Sequence, residues 1–196
     1  MALRKKETAA ATKLLARAEA RVLALLGSGV QARSHLEALR LVRAFDEVRV
    51  WSPRNAAAFA EKFDVTAARS AEEAVRGADV VVVATAATTP VLFGEWLRPG
   101  AHVNAVGATR PDWRELDDEV LRRARIYVES REPAMKESGD IIAAGKGMAE
   151  LGEVLAGKQS GRTSTKEITL FKSVGVAVED VAAADLVWRR IVASDE

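Results

Sequence analysis

The chain has 196 residues, of which 48% are hydrophobic and 29% charged, the balance of one soluble globular domain with a full core. A formal net charge of +1 offers no bulk field for nucleic acid, and the lack of cysteine excludes disulfides, thiolate metal sites and a thiol nucleophile. The apolar runs are too short to span a bilayer and no signal peptide is evident, so a cytoplasmic protein with no membrane partner is expected.

Residues 1–20 read as an Ala-rich basic helix, strongest from Glu7 to Arg21, with no evident partner among the later elements. The run from Val22 to Leu26 then ends in Gly27-Ser28-Gly29-Val30-Gln31-Ala32, and a helical pattern begins at once. Strand, tight Gly-x-Gly turn and helix in that order form the context of a dinucleotide fingerprint. Gly27 permits the turn, Gly29 lets a pyrophosphate approach the backbone, and Ala32 packs the helix on the sheet. The helix starting near Val30 directs free N–H groups and a positive dipole end at phosphates. The competing reading is a glycine-rich turn with no ligand.

Leu36, Leu39, Val42 and Phe45 share one face of that helix, which leaves His35 expected at the surface. Glu47 to Trp51 is the second strand, and the residues after it bear on cofactor choice. Ser52 stands about 20 residues after Ala32, where an NAD site carries the acid that holds the ribose 2′-hydroxyl. The run Ser52-Pro53-Arg54-Asn55 has no carboxylate, and the hydroxyl and guanidinium suit a 2′-phosphate, so NADPH is expected, with NADH as the alternative.

A helix over 55–63, a short strand at Val65 to Ala67 and a Ser70–Glu73 cap come next. Asp79 to Thr85 reads as a buried parallel strand whose carboxyl end, with Thr85, belongs at a ligand crevice. Ala101 to Gly107 is the fifth strand, with Arg110 just beyond it as a candidate carboxylate binder. A helix from Glu115 to Arg123, a sixth strand over Arg125 to Val128, and helical or loop structure over 130–165 succeed it. Within that stretch, residues 157–165 are rich in Gly, Ser and Thr and expected to be mobile. A strand-like run at Ile168 to Ser173 precedes a helix from about Val178 to Ile191, whose apolar side includes Val181 and Leu186. With only His35 and His102 in the chain, no His-rich metal site is expected.

Several stretches together resemble the ornithine cyclodeaminase/mu-crystallin family. They are the fingerprint, Leu92-Phe93-Gly94-Glu95-Trp96, Val106-Gly107-Ala108-Thr109-Arg110-Pro111-Asp112-Trp113 with the acids beyond it, Lys136-Glu137-Ser138-Gly139-Asp140 and Phe171-Lys172-Ser173-Val174-Gly175. The likeness runs from about Ala11 to the C-terminus, and Arg110-Pro111-Asp112-Trp113 points to the mu-crystallin branch. It implies an α/β fold, a Rossmann-type doubly wound parallel sheet over residues 21–170. It also implies remnants of a second, substrate-binding and dimerising domain in an N-terminal helix over 1–20 and a returning helix over 171–196.

The resemblance implies NAD(P)H-dependent reduction of cyclic imine carboxylates, that is, a ketimine reductase working as a homodimer. Thyroid hormone is a further ligand it implies. Implied cofactor contacts are Gly27, Ser28, Gly29, Val30, Gln31, Ser52, Arg54, Asn55, Thr85, Val106 and Ser173. Implied substrate contacts are Arg110 and Glu137, and no catalytic residue is assigned. Two departures bear on this. Thr109 stands where ornithine cyclodeaminases carry a catalytic Asp, which disfavours cyclodeamination. Family members also have a longer N-terminal part that supplies the Lys and Arg for the substrate carboxylate, and Met1 to Glu7 does not match it. The chain thus reads as an isoform, a fragment or an incomplete gene product with weak or lost turnover. A non-catalytic NADPH- or hormone-binding protein and a crystallin-like structural protein are the alternatives.

Overall fold

The computed structural model describes residues 4–175 and, beyond them, residues 181, 184, 185, 188 and 189. In chain order the elements are α1 (Arg4–Leu15), β1 (Val22–Leu26), α2 (Val30–Leu39), β2 (Glu47–Trp51), α3 (Ala56–Phe63), β3 (Thr66–Ala67), α4 (Ala71–Val75) and β4 (Val80–Val83). A single 3₁₀ turn (Gly94–Trp96) precedes β5 (His102–Ala105), α5 (Asp118–Arg123), β6 (Ala124–Val128), α6 (Arg131–Glu137) and α7 (Gly139–Ala144). Then come β7 (Ala149–Glu150), α8 (Leu151–Leu155) and β8 (Ile168–Lys172). All strand pairs are parallel, in the order β3-β2-β1-β4-β5-β8-β6-β7. This is the doubly wound sheet, with one addition: β8, the last strand among the described residues, lies between β5 and β6.

Alternation along the strands explains the layers. Leu23, Leu25, Val80 and Val82 face one side and pack with Leu36 and Leu39 of α2 and Phe59 of α3. Ala24, Leu26, Val81 and Val83 face the other, with Val75 of α4, Val120 of α5 and Ile141 of α7. Helices on both faces bury both sides of each central strand, so β4 is four valines with no polar position.

The N-terminal helix departs from expectation. It ends at Leu15 rather than Arg21, and it has a partner in the Rossmann unit. Ala11 and Leu15 pack with Tyr127 of β6 and Phe171 of β8. Its polar side is buried as well: Thr8 Oγ1 lies 3.1 Å from His35 Nε2, and Thr12 Oγ1 accepts a 2.9 Å bond from Asn104 Nδ2. His35 is therefore fully buried under α1, not exposed, and its Nδ1 is 2.7 Å from the Gln31 carbonyl. The network continues into the sheet. His102 bonds Asn104 Oδ1 at 3.1 Å and sits 2.9 Å from Thr169 Oγ1, which accepts a bond from Arg162 at 2.9 Å.

Arg162 also donates to the carbonyls of Leu15, Ala101 and Glu167, so the Gly/Ser/Thr-rich segment is pinned at its middle rather than loose. Burial, and then the Arg162 charge, depress the His102 pKa from 6.5 to about 3, so the imidazole is neutral. The predicted helix over Val178 to Ile191 lies mostly outside the described residues. Those of its positions that are described are helical and exposed. Among the described residues no helix is long and apolar enough to cross a membrane, and no group of three His, Asp or Glu side chains could hold a metal ion.

Candidate functional site

The fingerprint occupies the turn from β1 into α2. Gly27 has φ +114°, and a Cβ there would lie 2.2 Å from the Ala84 carbonyl oxygen, so this position requires glycine. Its N–H donates to the Trp51 carbonyl at 2.8 Å, and the Ala84 N–H donates to the Leu26 carbonyl at 2.8 Å; the two bonds draw the ends of β1, β2 and β4 together. Gly29 is the N-cap of α2 in extended conformation, and no side chain caps the helix. The first-turn N–H groups therefore open on the cleft in front of the turn.

That cleft has a volume of about 430 Å³. Gly27 to Gln31, Ser52, Arg54, Asn55 and Thr85 all line it, together with Pro53, Ala84 and Ala86. The Ser28 and Ser52 hydroxyls are 2.8 Å apart across it, and the Asn55 N–H donates to Ser52 Oγ at 3.2 Å. Arg54 is exposed and forms no ion pair among the described residues. Gln31 Oε1 is buried without a hydrogen-bond partner.

The remaining expected residues lie elsewhere along the strand ends. Val106 is buried, its N–H bonded to the Val83 carbonyl at 2.9 Å. Ser173 is buried just past β8, and its Oγ has no partner. Arg110 and Glu137 are both exposed and outside the cleft. The Arg110 guanidinium stacks over the Trp113 ring at 4.7 Å. A bond from the Gly139 N–H to the Arg110 carbonyl, 3.1 Å, joins the Arg110 loop to the segment just after Glu137. The turn into that loop passes through Ala108 at φ +47°, a left-handed conformation unusual for a residue with a Cβ.

Beneath these strand ends lies a charged cluster that sequence reasoning missed. Glu115, Asp140 and Lys172 are all fully buried. Glu115 precedes α5 rather than opening it, because Asp117 is the N-cap and accepts from the Val120 N–H at 2.8 Å. The Glu115 Oε1 accepts the Thr85 N–H at 2.8 Å and the Thr85 hydroxyl, while Oε2 has no partner. The Thr85 hydroxyl is thus engaged from below, and its oxygen also accepts the Ala87 N–H at 3.1 Å. Asp140 Oδ1 accepts the N–H groups of Glu115 and Leu116 at 3.0 and 3.1 Å. Lys172 Nζ bonds Asp140 Oδ2 at 3.1 Å and the Gly107 carbonyl. Burial pushes the Glu115 carboxyl above its ordinary range, against the pull of Lys172 and the Thr85 bonds. The available signal was Lys172, a charge in a run otherwise fit for a strand buried on both faces.

Comparison with known proteins agrees with this geometry. The model of the ornithine cyclodeaminase/mu-crystallin family matches residues 2–195. The chain is 54% identical over 187 residues to a ketimine reductase mu-crystallin from Macropus fuliginosus, covering 92% of this chain and 59% of that protein. The fold matches a Thermococcus litoralis Δ1-pyrroline-2-carboxylate reductase solved with NADH and L-proline. The TM-score is 0.91 and the identity 39%, over 99% of this chain and 65% of that one. It also matches an archaeal alanine dehydrogenase dimer with bound NAD, with TM-score 0.91 and 37% identity over 98% of this chain and 64% of that one. The chain therefore spans about three fifths of the length of these relatives.

Proposed function

The chain belongs to the ornithine cyclodeaminase/mu-crystallin family, and on that footing we propose that it binds a reduced nicotinamide dinucleotide and serves the reduction of a cyclic imine carboxylate, a ketimine. The observation that carries this reading is the single cleft onto which the uncapped α2 N-terminus, the Gly27–Gly29 turn, Ser52, Arg54 and Thr85 all open. The residues fit the group: a glycine held where any Cβ would strike Ala84, unclaimed N–H groups, and the unpartnered Gln31 Oε1. Relatives solved with NADH or NAD support the same assignment.

In this reading the α2 N-terminus takes the pyrophosphate and Ser52 with Arg54 takes the adenine ribose. With no carboxylate after β2, a 2′-phosphate meets a guanidinium and no repulsion, so NADPH is preferred over NADH. The bound nicotinamide supplies the hydride. Arg110 offers a paired hydrogen-bond fork to the substrate carboxylate, and Glu137 stabilises the protonated imine nitrogen. Thr109 cannot act as a carboxylate base, which sets the reading apart from cyclodeamination. The N-terminal helix and residues 171–196 are read as the parts facing a second domain, with a cytoplasmic homodimer as the working form.

The test is an assay of NADPH oxidation with a piperideine or pyrroline 2-carboxylate. Consumption of NADPH that depends on the imine is the expected result. A folded chain that neither binds nor oxidises NADPH contradicts it. One observation favours a binding-only role: Arg110 and Glu137 stand exposed and outside the cleft. Tight NADPH binding without turnover selects that alternative.

A further inference from the structure

Resting on the nucleotide reading, a further residue acquires a role. Three ionisable side chains buried with no exposure are costly, and such a cluster calls for a physical reason. Its location supplies one. Thr85, Gly107 and Lys172 stand at the carboxyl ends of β4, β5 and β8, which are neighbours in the sheet. Ligands of such sheets lie just outside these ends. The adenine half of a dinucleotide belongs over β1 and β2, which leaves β4 and β5 for the nicotinamide half.

The contacts close into a ring. Glu115 holds Thr85, Asp140 holds the backbone of Glu115, Lys172 joins Asp140 to the Gly107 carbonyl, and Gly107 returns to Glu115. The last link is steric. A Cβ on Gly107 would lie 2.3 Å from Glu115 Oε2, so the carboxyl fills the place of a side chain under the end of β5. The same Oε2 is the unpartnered oxygen. In the network under α1, by contrast, Thr8, Thr12, His35, His102, Asn104, Arg162 and Thr169 leave no buried side-chain atom unpartnered.

We propose that Glu115 is a positioning residue for the nicotinamide half of the dinucleotide, acting from below through Thr85 and the glycine at 107. It does not touch the adenine half. Removing it should therefore separate two ligands that share that half.

The experiment titrates the purified chain with NADPH and with 2′,5′-ADP, which carries the adenine ribose and 2′-phosphate but no nicotinamide. Glu115→Ala should weaken NADPH by about tenfold or more while changing 2′,5′-ADP less than about twofold, as expected for loss of support behind a contact. Glu115→Gln, whose carbonyl can still accept both Thr85 donors, should recover most of the NADPH affinity. Thr85→Val, a variant that leaves the buried charges in place, should show the same selective loss as Glu115→Ala and carries the test if the alanine variant does not fold. Equal weakening of both ligands, or none, in folded variants overturns the proposal while leaving the nucleotide reading intact. A folded wild-type chain that binds neither ligand overturns that reading and the role of Glu115 with it.

Discussion

Two buried polar networks cross this molecule, and they are built to different standards. The one under α1 links Thr8 to His35 and Thr12 through Asn104 and His102 to Thr169 and Arg162, and none of its side chains has an orphaned polar atom. The one under the strand ends links Thr85, Glu115, Asp140 and Lys172, and it leaves Glu115 Oε2 without a partner, with Ser173 Oγ orphaned nearby at the end of β8. A satisfied network fastens a helix to a sheet and asks nothing more. An incomplete one at the carboxyl ends of parallel strands is where a ligand is expected to meet the protein. The histidines, which a search for catalytic groups would try first, belong to the structural network. The acids and the lysine belong to the other.

The comparison is broken most severely at Lys172. Replacing it by Met strands Asp140 as a buried unpaired charge and should cost about 3–5 kcal/mol in urea unfolding. Pairing it with Asp140→Asn, which can still accept the Glu115 and Leu116 N–H groups, should recover much of that loss. Under α1, Asn104→Ala leaves the Thr12 hydroxyl and His102 each short of a partner and should cost about 2–3 kcal/mol. Nucleotide affinity should be unchanged in the folded Asn104 variant, which sharpens the division between the networks.

His102 gives an effect that is absent at neutral pH and grows as the pH falls. Its folded pKa of about 3 lies below the ordinary 6.5, so between those values the unfolded chain binds the extra proton. Its contribution is complete above pH 6.5 and is lost as the pH falls, at up to about 1.4 kcal/mol per pH unit. Unfolding of wild type and His102→Gln, compared from pH 7 downward, should show that slope in the wild type and its loss in the variant.

The first half of the sheet was legible because each of its elements carries a local signature. The apolar run of β1 ends in a turn whose Gly27 only glycine can occupy, and the valines of β4 admit no reading but a strand buried on both faces. Gly27 and Gly29 were legible in that turn, and Ser52, Arg54 and Thr85 in the ends of the strands beside it, whereas the full set of cleft residues, with Gln31 and Asn55, came from the family resemblance. What was not legible depends on contacts distant in sequence. His35 is buried because α1 covers it, 27 residues away, and nothing on its own helix announces that. The position of β8 between β5 and β6 is a choice of topology that a strand pattern does not encode. Glu115 reads as the first acid of a helix and Asp140 as one member of a polar run, and only the fold brings them to Thr85 and Lys172.

In the function proposed above, the cleft in front of the fingerprint holds a phosphorylated nicotinamide dinucleotide through Arg54 and the α2 N-terminus. Fluorescence titration of NADPH and NADH into wild type and Arg54→Glu tests it most directly. Wild type should bind NADPH more tightly than NADH by about tenfold or more, and Arg54→Glu should remove the preference while leaving NADH binding in place. A folded chain that binds neither nucleotide, or a preference for NADPH that survives the charge reversal, would contradict it.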